Sequence, residues 1–245
     1  MDSKKGTPRE LSMALTAAEA RYTGEAGKKY ASRQFDEART DILGKCFHER
    51  SKSWLTITDR ILEFGCGNGR NLLAIESVEK AGYDLNEYSR VYARQAGLRI
   101  FDRLDDIPRK YWTVVLCNHV LEHVPHPIKT LELLRNFLSP NGTLVLTVPL
   151  EGHLLKLKRS EVDCDHHLFC WNPTTMRNLL AASGYRMKEL VIRRAACESR
   201  LRRLDLISWR LFRLGVWVCG LVLRRREMSV IAEPIESCYE ARETI

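Results

Sequence analysis

A chain of 245 residues, 44% hydrophobic and 29% charged, is long enough to bury a large core and fits one domain with decorations. It carries no low-complexity tract or internal repeat, which excludes fibrous and solenoid architectures, and its eight cysteines form no C-x-x-C pair, which removes a zinc ribbon or a redox motif. The net charge of +8 is concentrated between Arg200 and Arg226, where eight arginines face one acid, Asp205.

The opening stretch, MDSKKGTPRE, is basic but lacks the apolar core of a secretory signal. The expected location is therefore cytoplasmic, with the cysteines mostly reduced thiols. Residues 1 to about 18 and the tail IESCYEARETI are expected to be poorly ordered.

The first strong element is the apolar run RILEF, residues 60–64. It is ended by the glycine turn GCGNG and followed by helical spacing in RNLLAIES, so it reads as strand, turn, helix. KAGYDL is a second strand, and NEYSRVYARQAG a helix capped by Asn86 and stopped at Gly97. The unit then repeats through LRIF, a crossover at Pro108, the strand WTVVLC and the helix PIKTLELLRNFL opening on Pro127. PNG at 140–142 reads as a turn, and TLVLTVP as a strand terminated by Pro149. After a long connection, NPTTMRNLLAASG is a helix with Asn172 as N-cap, Pro173 in its first turn and Gly184 at its end. YRMKELVIR and EMSVIAE are further strands, separated by the arginine-rich helical stretch. Apolar strands alternating with helices predict a mostly parallel sheet covered on both faces.

The turn places Gly65, Gly67 and Gly69 directly after the first strand, where unpaired N–H groups of a helix N-terminus meet a ligand at the switch point of the sheet. Asp84 follows nineteen residues after Gly65, at the end of the second strand, where a carboxylate can accept hydrogen bonds from both hydroxyls of a ribose. Together they point to an adenosine-containing cofactor. A dinucleotide site uses G-x-G-x-x-G, whereas here the spacing is G-x-G-x-G with Glu63 just ahead of it.

On these residues the sequence resembles the class I S-adenosylmethionine-dependent methyltransferases. ILEFGCGNG is similar to their first motif, YDLN to the acidic end of their second strand, and VVLCNHVLEHVPHP with LSPNGTLVLTVP to their fourth and fifth strands. The likeness runs from about residue 20 to 234. It implies an α/β, Rossmann-like sheet of seven strands in the order 3-2-1-4-5-7-6, with strand 7 antiparallel and helices on both faces. It also implies an N-terminal helical lid over residues 1–50, a methyltransferase domain over 51–234 with a basic helical insertion near 198–226, and a polar tail over 235–245.

The resemblance further implies S-adenosylmethionine as cofactor. Glu63, Gly65, Cys66, Gly67 and Asn68 are the implied binding residues at the turn, with Asp84 on the ribose, Leu85 on the adenine and Asn118 near the methionine end. Tyr22, Tyr30 and Arg33 of the lid are candidates for the cofactor carboxylate. Two departures stand out: Thr113 replaces the usual aspartate, and FDRLDDIP leaves the adenine contacts of Asp102 to Asp106 unassigned.

A sulfonium methyl is already an electrophile, so the protein chiefly has to align a nucleophile behind it. A hydroxyl acceptor must also lose a proton, for which histidine is the usual base. The expected bases are His167, then His119. His119, Glu122 and His123 would cluster in one helical turn. The similar ubiquinone-biosynthesis O-methyltransferases carry E-x-x-E-H there as part of a divalent metal site, and in this sequence His119 replaces the first acid. A metal and a purely structural loop both remain open, while His126, between two prolines, reads as an exposed loop residue. Asp163, Asp165, His166 and His167 form a second cluster, beside which Phe169 and Trp171 either stack on an acceptor or dock the loop.

The expected activity is methyl transfer to a small-molecule acceptor, at oxygen of a sugar, phenol or natural-product-like substrate. The rival is a catalytically silent cofactor-binding or membrane-associated scaffold, motivated by Thr113 and the arginine-rich helix. That helix has a longest uncharged run from Leu214 to Leu223, about half of the ~20 residues needed to span a bilayer. Three uses fit it: peripheral membrane contact through 200–226, packing on the domain, or packing on a second subunit as in a homodimer. Nucleic acid is disfavoured because no RNA- or DNA-binding module accompanies the charge.

Overall fold

The computed structural model describes residue 16 and residues 18–34, 37–150, 166–194 and 196–235. Asp163, Asp165, the side chain of Arg33, most of the 1–18 segment and the tail beyond residue 235 lie outside the described residues.

The central sheet consists of β1 (Arg60–Phe64), β2 (Glu79–Tyr83), β3 (Arg99–Phe101), β4 (Trp112–Asn118), β5 (Leu138–Leu150), β6 (Tyr185–Arg194) and β7 (Arg226–Pro234). Its order is β3-β2-β1-β4-β5-β7-β6, and β7 runs antiparallel to both β5 and β6, as expected. The strands at the centre carry apolar residues on both faces because helices cover both. Ile61, Leu62, Val115, Leu116 and Cys117 are all buried.

The helices are α1 (Gly24–Gln34), α2 (Glu37–Ser51), α3 (Arg70–Ala74), α4 (Glu87–Gln95), α5 (Pro127–Phe137), α6 (Pro173–Ala182), α7 (Glu198–Asp205) and α8 (Trp209–Val222). Their ends follow local chemistry. The Asn86 side chain accepts hydrogen bonds from the N–H groups of Tyr88 and Ser89 to start α4. Asn172 and Thr175 form a reciprocal capping box at α6. Gly97 and Gly184 follow α4 and α6 with positive φ.

Two expectations are corrected. β5 starts at Leu138 rather than after the PNG turn: the pairing with β4 shifts register between Trp112 and Val114, and Asn141, at φ 62°, absorbs the irregularity. Nor does Pro149 end the strand, which continues to Leu150. The carbonyl of Thr147 accepts a hydrogen bond from the His119 N–H, so the 147/149 pair faces β4. β4 has already ended at Asn118, and the N–H that proline lacks costs no ladder bond there.

Thr113 lies near the start of β4, at the opposite end of the sheet from the glycine turn. Its hydroxyl accepts from the Arg60 N–H and donates to Asp59, both at 2.9 Å. The departure at Thr113 is a local rewiring of the β1–β4 entrance and gives no support to a silent scaffold.

Candidate active site

Parallel register brings the cofactor candidates together. Phe64 pairs with Tyr83 across β1–β2 and with Cys117 across β1–β4. The residues that follow these pairs, Gly65, Asp84 and Asn118, therefore emerge side by side at the C-terminal edge of the sheet. They open onto a cavity of about 840 Å³ lined also by Cys66, Gly67, Asn68 and Leu85.

The turn is tightly held. The N–H groups of Gly65 and Cys66 both donate to the Tyr83 carbonyl, at 2.7 and 3.0 Å. Asp84 is anchored in turn, one carboxylate oxygen accepting from the Gly67 N–H at 2.7 Å and the other from the Asn86 N–H at 2.8 Å. Burial pushes its carboxyl above the usual range, against those two hydrogen bonds and the nearby Arg90.

Gly65 and Gly67 both have positive φ, but for different surroundings. A Cβ on Gly65 would overlap the Val120 side chain, whereas one on Gly67 would meet nothing within 4 Å. Gly65→Ala is accordingly expected to cost about 2 kcal/mol or more, from backbone strain plus overpacking. Gly67→Ala should cost about 1 kcal/mol, from strain alone; urea unfolding of the two variants checks the order.

Glu63 is placed differently from its neighbours. It is absent from the cavity wall and sits buried behind the turn, accepting from Asn71 Nδ2 at 2.6 Å. Burial raises its carboxyl to about 8, against that hydrogen bond. The acids of the 102–106 segment also stay out of the cavity, where Leu104 reaches instead. Asp102 is occupied by Arg90 and Arg94 at the surface.

The lid candidates Tyr22 and Tyr30 line the cavity. α1 is fastened over it because Asn86, besides capping α4, donates from Nδ2 to the Gly27 carbonyl at 2.9 Å. The Arg21 guanidinium meets His166 Nδ1 at 2.6 Å, joining the lid to the loop that returns from the sheet.

At the other end of the cavity the histidines separate into two environments. His119, at φ 54°, points its ring between two carboxylates. Its Nδ1 is 3.3 Å from Glu122 and its Nε2 is 3.6 Å from Glu227. Burial lowers its basicity, but the two acids outweigh this and bring it up to about 9. This favours the imidazolium, with a carboxylate within ion-pair distance of each ring nitrogen. Glu227 is also 3.2 Å from Arg50 of α2, and despite burial that arginine and His119 hold its carboxyl down at about 2. Arg50, Glu227, His119 and Glu122 thus form an alternating line of charges that sums to zero.

His123 is the opposite case. Burial holds its imidazole below the ordinary value, opposed by Glu122 and assisted by His167, so it is neutral at pH 7. Its Nδ1 is 3.1 Å from the Tyr22 hydroxyl, and burial raises the Tyr22 phenol well above its usual range. His167 packs edge-on against His123, with ring centroids 4.8 Å apart, and both rings line the cavity. One ligand atom from each of Glu122, His123 and His167 lies within 4.8 Å of the others. Phe169 and Trp171 stack on each other and pack against the core, outside the cavity wall, which is the loop-docking alternative. His126 is exposed at the N-cap of α5.

Sequence spacing pointed to His119, His123 and His167 but missed Glu227 and Arg50. Neither lies near a motif. Glu227 is the second residue of β7, and only the arginines before it hinted at a charged partner.

The cavity suits an adenosyl sulfonium: an anchored carboxylate sits at the end of β2, and among the described residues Gly67 leaves open space and Asn118 Oδ1 is buried without a hydrogen-bond partner. The strand order and the glycine turn at the edge of the sheet are those of the class I S-adenosylmethionine-dependent methyltransferase fold. The chain belongs to the methyltransferase domain family, whose profile matches residues 27–190.

Among curated proteins it is similar to the ubiquinone biosynthesis O-methyltransferase of Photobacterium profundum, 30% identical over 95 residues, which is 34% of this chain and 40% of that protein. The protein of the same name from Histophilus somni is 28% identical over 101 residues, 35% of this chain and 42% of the relative. The matches span about two fifths of the length of these relatives.

Among solved structures, a SAM-dependent methyltransferase from Archaeoglobus fulgidus superposes with a TM-score of 0.58 at 21% identity, covering 84% of this chain and 98% of that one. A Haemonchus contortus phosphoethanolamine N-methyltransferase, solved with phosphomonomethylethanolamine and S-adenosylhomocysteine, gives 0.56 at 13% identity, covering 79% of this chain and 53% of that one.

Proposed function

We propose that this methyltransferase acts on oxygen of a small-molecule acceptor, of the sugar, phenol or natural-product type, with His123 as the general base. The observation that carries this reading is a partly buried imidazole on the cavity wall, hydrogen-bonded to Tyr22, packed against His167, the histidine expected from sequence, and kept less basic than usual by burial. S-adenosylmethionine supplies an activated methyl on a sulfonium, and Gly65, Cys66, Gly67, Asn68, Asp84, Leu85 and Asn118 are the residues that would hold it. Glu63 supports them from behind the turn.

His123 takes the acceptor proton at Nδ1 by way of the Tyr22 hydroxyl, which receives that proton and passes its own to the ring. His167 packs against the ring, and Glu122, on the Nε2 side, stabilises the imidazolium that forms. His119 is not the base in this scheme, because the carboxylates of Glu122 and Glu227 on either side of its ring favour its protonated form. It serves as a fixed cation that orients Glu122.

The test is release of S-adenosylhomocysteine across a panel of phenols and sugars. His123→Ala should lower kcat by about 10²- to 10⁴-fold with cofactor affinity retained in calorimetry, and a chelator should leave the parent unaffected. Activity lost to chelator and restored by magnesium would instead give Glu122, His123 and His167 to a cation. Turnover confined to amines, with His123→Ala fully active, would overturn the oxygen reading.

A further inference from the structure

Helix α8 is apolar on two opposite sides. One side, with Phe212 buried and Trp209 and Val216 beside it, packs on α2 and α7 through Ile42, Cys46, Leu201 and Leu204. At 100° per residue the other side is formed by Leu211, Leu214, Trp217, Val218, Leu221 and Val222, all exposed. Leu206 and Ile207 in the α7–α8 turn extend this surface and are 87% and 74% exposed. A surface helix ordinarily turns polar residues to water, and exposed apolar side chains grouped in this way mark a contact site.

Arginines accompany the apolar side. Arg200, Arg203, Arg210, Arg213, Arg224 and Arg225 are exposed, and among the described residues none has a carboxylate within ion-pair distance. Arg225 also lines the cavity, so the charged rim runs up to the site. Among the described residues no helix is long and apolar enough to cross a membrane, which leaves contact with a surface.

We propose that the α7–α8 hairpin docks this protein on an anionic phospholipid bilayer, with the apolar face of α8 in the acyl boundary and its arginines among the headgroup phosphates. Charge decides the occupant. A second copy seated by two-fold symmetry would set one arginine cluster against another, at a cost that an anionic bilayer turns into a gain. A nucleic acid would meet the arginines but leave the leucines and Trp217 without apolar cover. The combination of arginines with Trp and Leu on one exposed side is that of an interfacial helix.

The experiment is co-sedimentation of the full chain with vesicles of phosphatidylcholine alone or mixed with phosphatidylglycerol. The parent should bind the mixed vesicles at least ~10-fold better than the neutral ones, and less well as salt rises. Arg210→Glu with Arg213→Glu, and separately Leu214→Glu with Trp217→Glu, should each lower binding to mixed vesicles at least ~10-fold. Melting temperature and S-adenosylmethionine affinity, measured on the same samples, should stay at parental values, which separates a failure of docking from a failure of the methyltransferase site. Equal binding to both vesicle types, or none, would overturn the proposal. So would a concentration-dependent dimer in sedimentation equilibrium that Leu214→Glu with Trp217→Glu dissociates, since that assigns the face to a second copy.

Discussion

Asp84→Ala is expected to weaken S-adenosylmethionine binding by about 100-fold or more in isothermal titration. The carboxylate closes the C-terminal end of β2 beside Gly65 and faces the cavity, where it is proposed to accept both ribose hydroxyls. Hydrogen bonds to a charged group contribute about 1.5–3 kcal/mol each, and about 1.4 kcal/mol is a factor of ten. Losing two therefore costs two decades or more. The substitution also releases the N–H groups of Gly67 and Asn86 that Asp84 now holds, so the glycine turn loses its brace along with the ligand contact. Asp84→Asn keeps an acceptor on one side and should fall between the two. Binding by Asp84→Ala within threefold of the parent would remove Asp84 from the cofactor site.

Glu227→Ala should have the largest effect on stability. It strips the shared carboxylate from Arg50 and His119, leaving, among the described residues, Arg50 only the more distant Glu198 at 3.8 Å and His119 only Glu122 at 3.3 Å. Breaking a buried pair by removing one partner costs about 3–5 kcal/mol, which for a chain of this size is a fall in Tm on the order of 10 °C. The pH profile identifies the cause. The folded value of Glu227, about 2, lies below the ordinary 4.5, so its stabilisation is complete above about 4.5 and disappears as pH falls toward 2. The folded value of His119, about 9, lies above the ordinary 6.5, so its stabilisation is complete below about 6.5 and disappears as pH rises through 9. The parent should gain most from the network between about pH 4.5 and 6.5. The deficit of Glu227→Ala should be widest there and narrow toward pH 9. A deficit independent of pH would mean that the loss is one of packing alone.

The helix caps were legible in the sequence because each rests on a local signal, whereas the strand order and the antiparallel β7 were implied only by the family resemblance. Asn86, Asn172, Gly97 and Gly184 act on neighbours within a turn or so of themselves. The β5 boundary was misread for a similar reason: a PNG triplet and a proline normally interrupt a strand, and here the end of β4 had removed the bond that Pro149 cannot make. The basic insertion was visible as composition, but which side of α8 faced outward depended on the packing of Phe212 against α2.

The candidate site divides along the same line. Gly65, Gly67 and Asp84 could be named from sequence because each directly follows a strand or sits in the turn that ends one, Asn118 came from the resemblance, and parallel pairing with Phe64 opposite Tyr83 and Cys117 brings these positions to one edge. The histidines could be named but not ranked. Their protonation depends on which charges stand around them, and those charges come from elements far apart in the chain. β7 delivers Glu227 and α2 delivers Arg50 to the ring of His119, making it a cation, while burial beside Tyr22 and His167 keeps His123 neutral. Residue type and spacing determined that a base could stand at this edge of the sheet; only the tertiary structure, by setting carboxylates around His119 and burying His123, made the first more basic than usual and the second less.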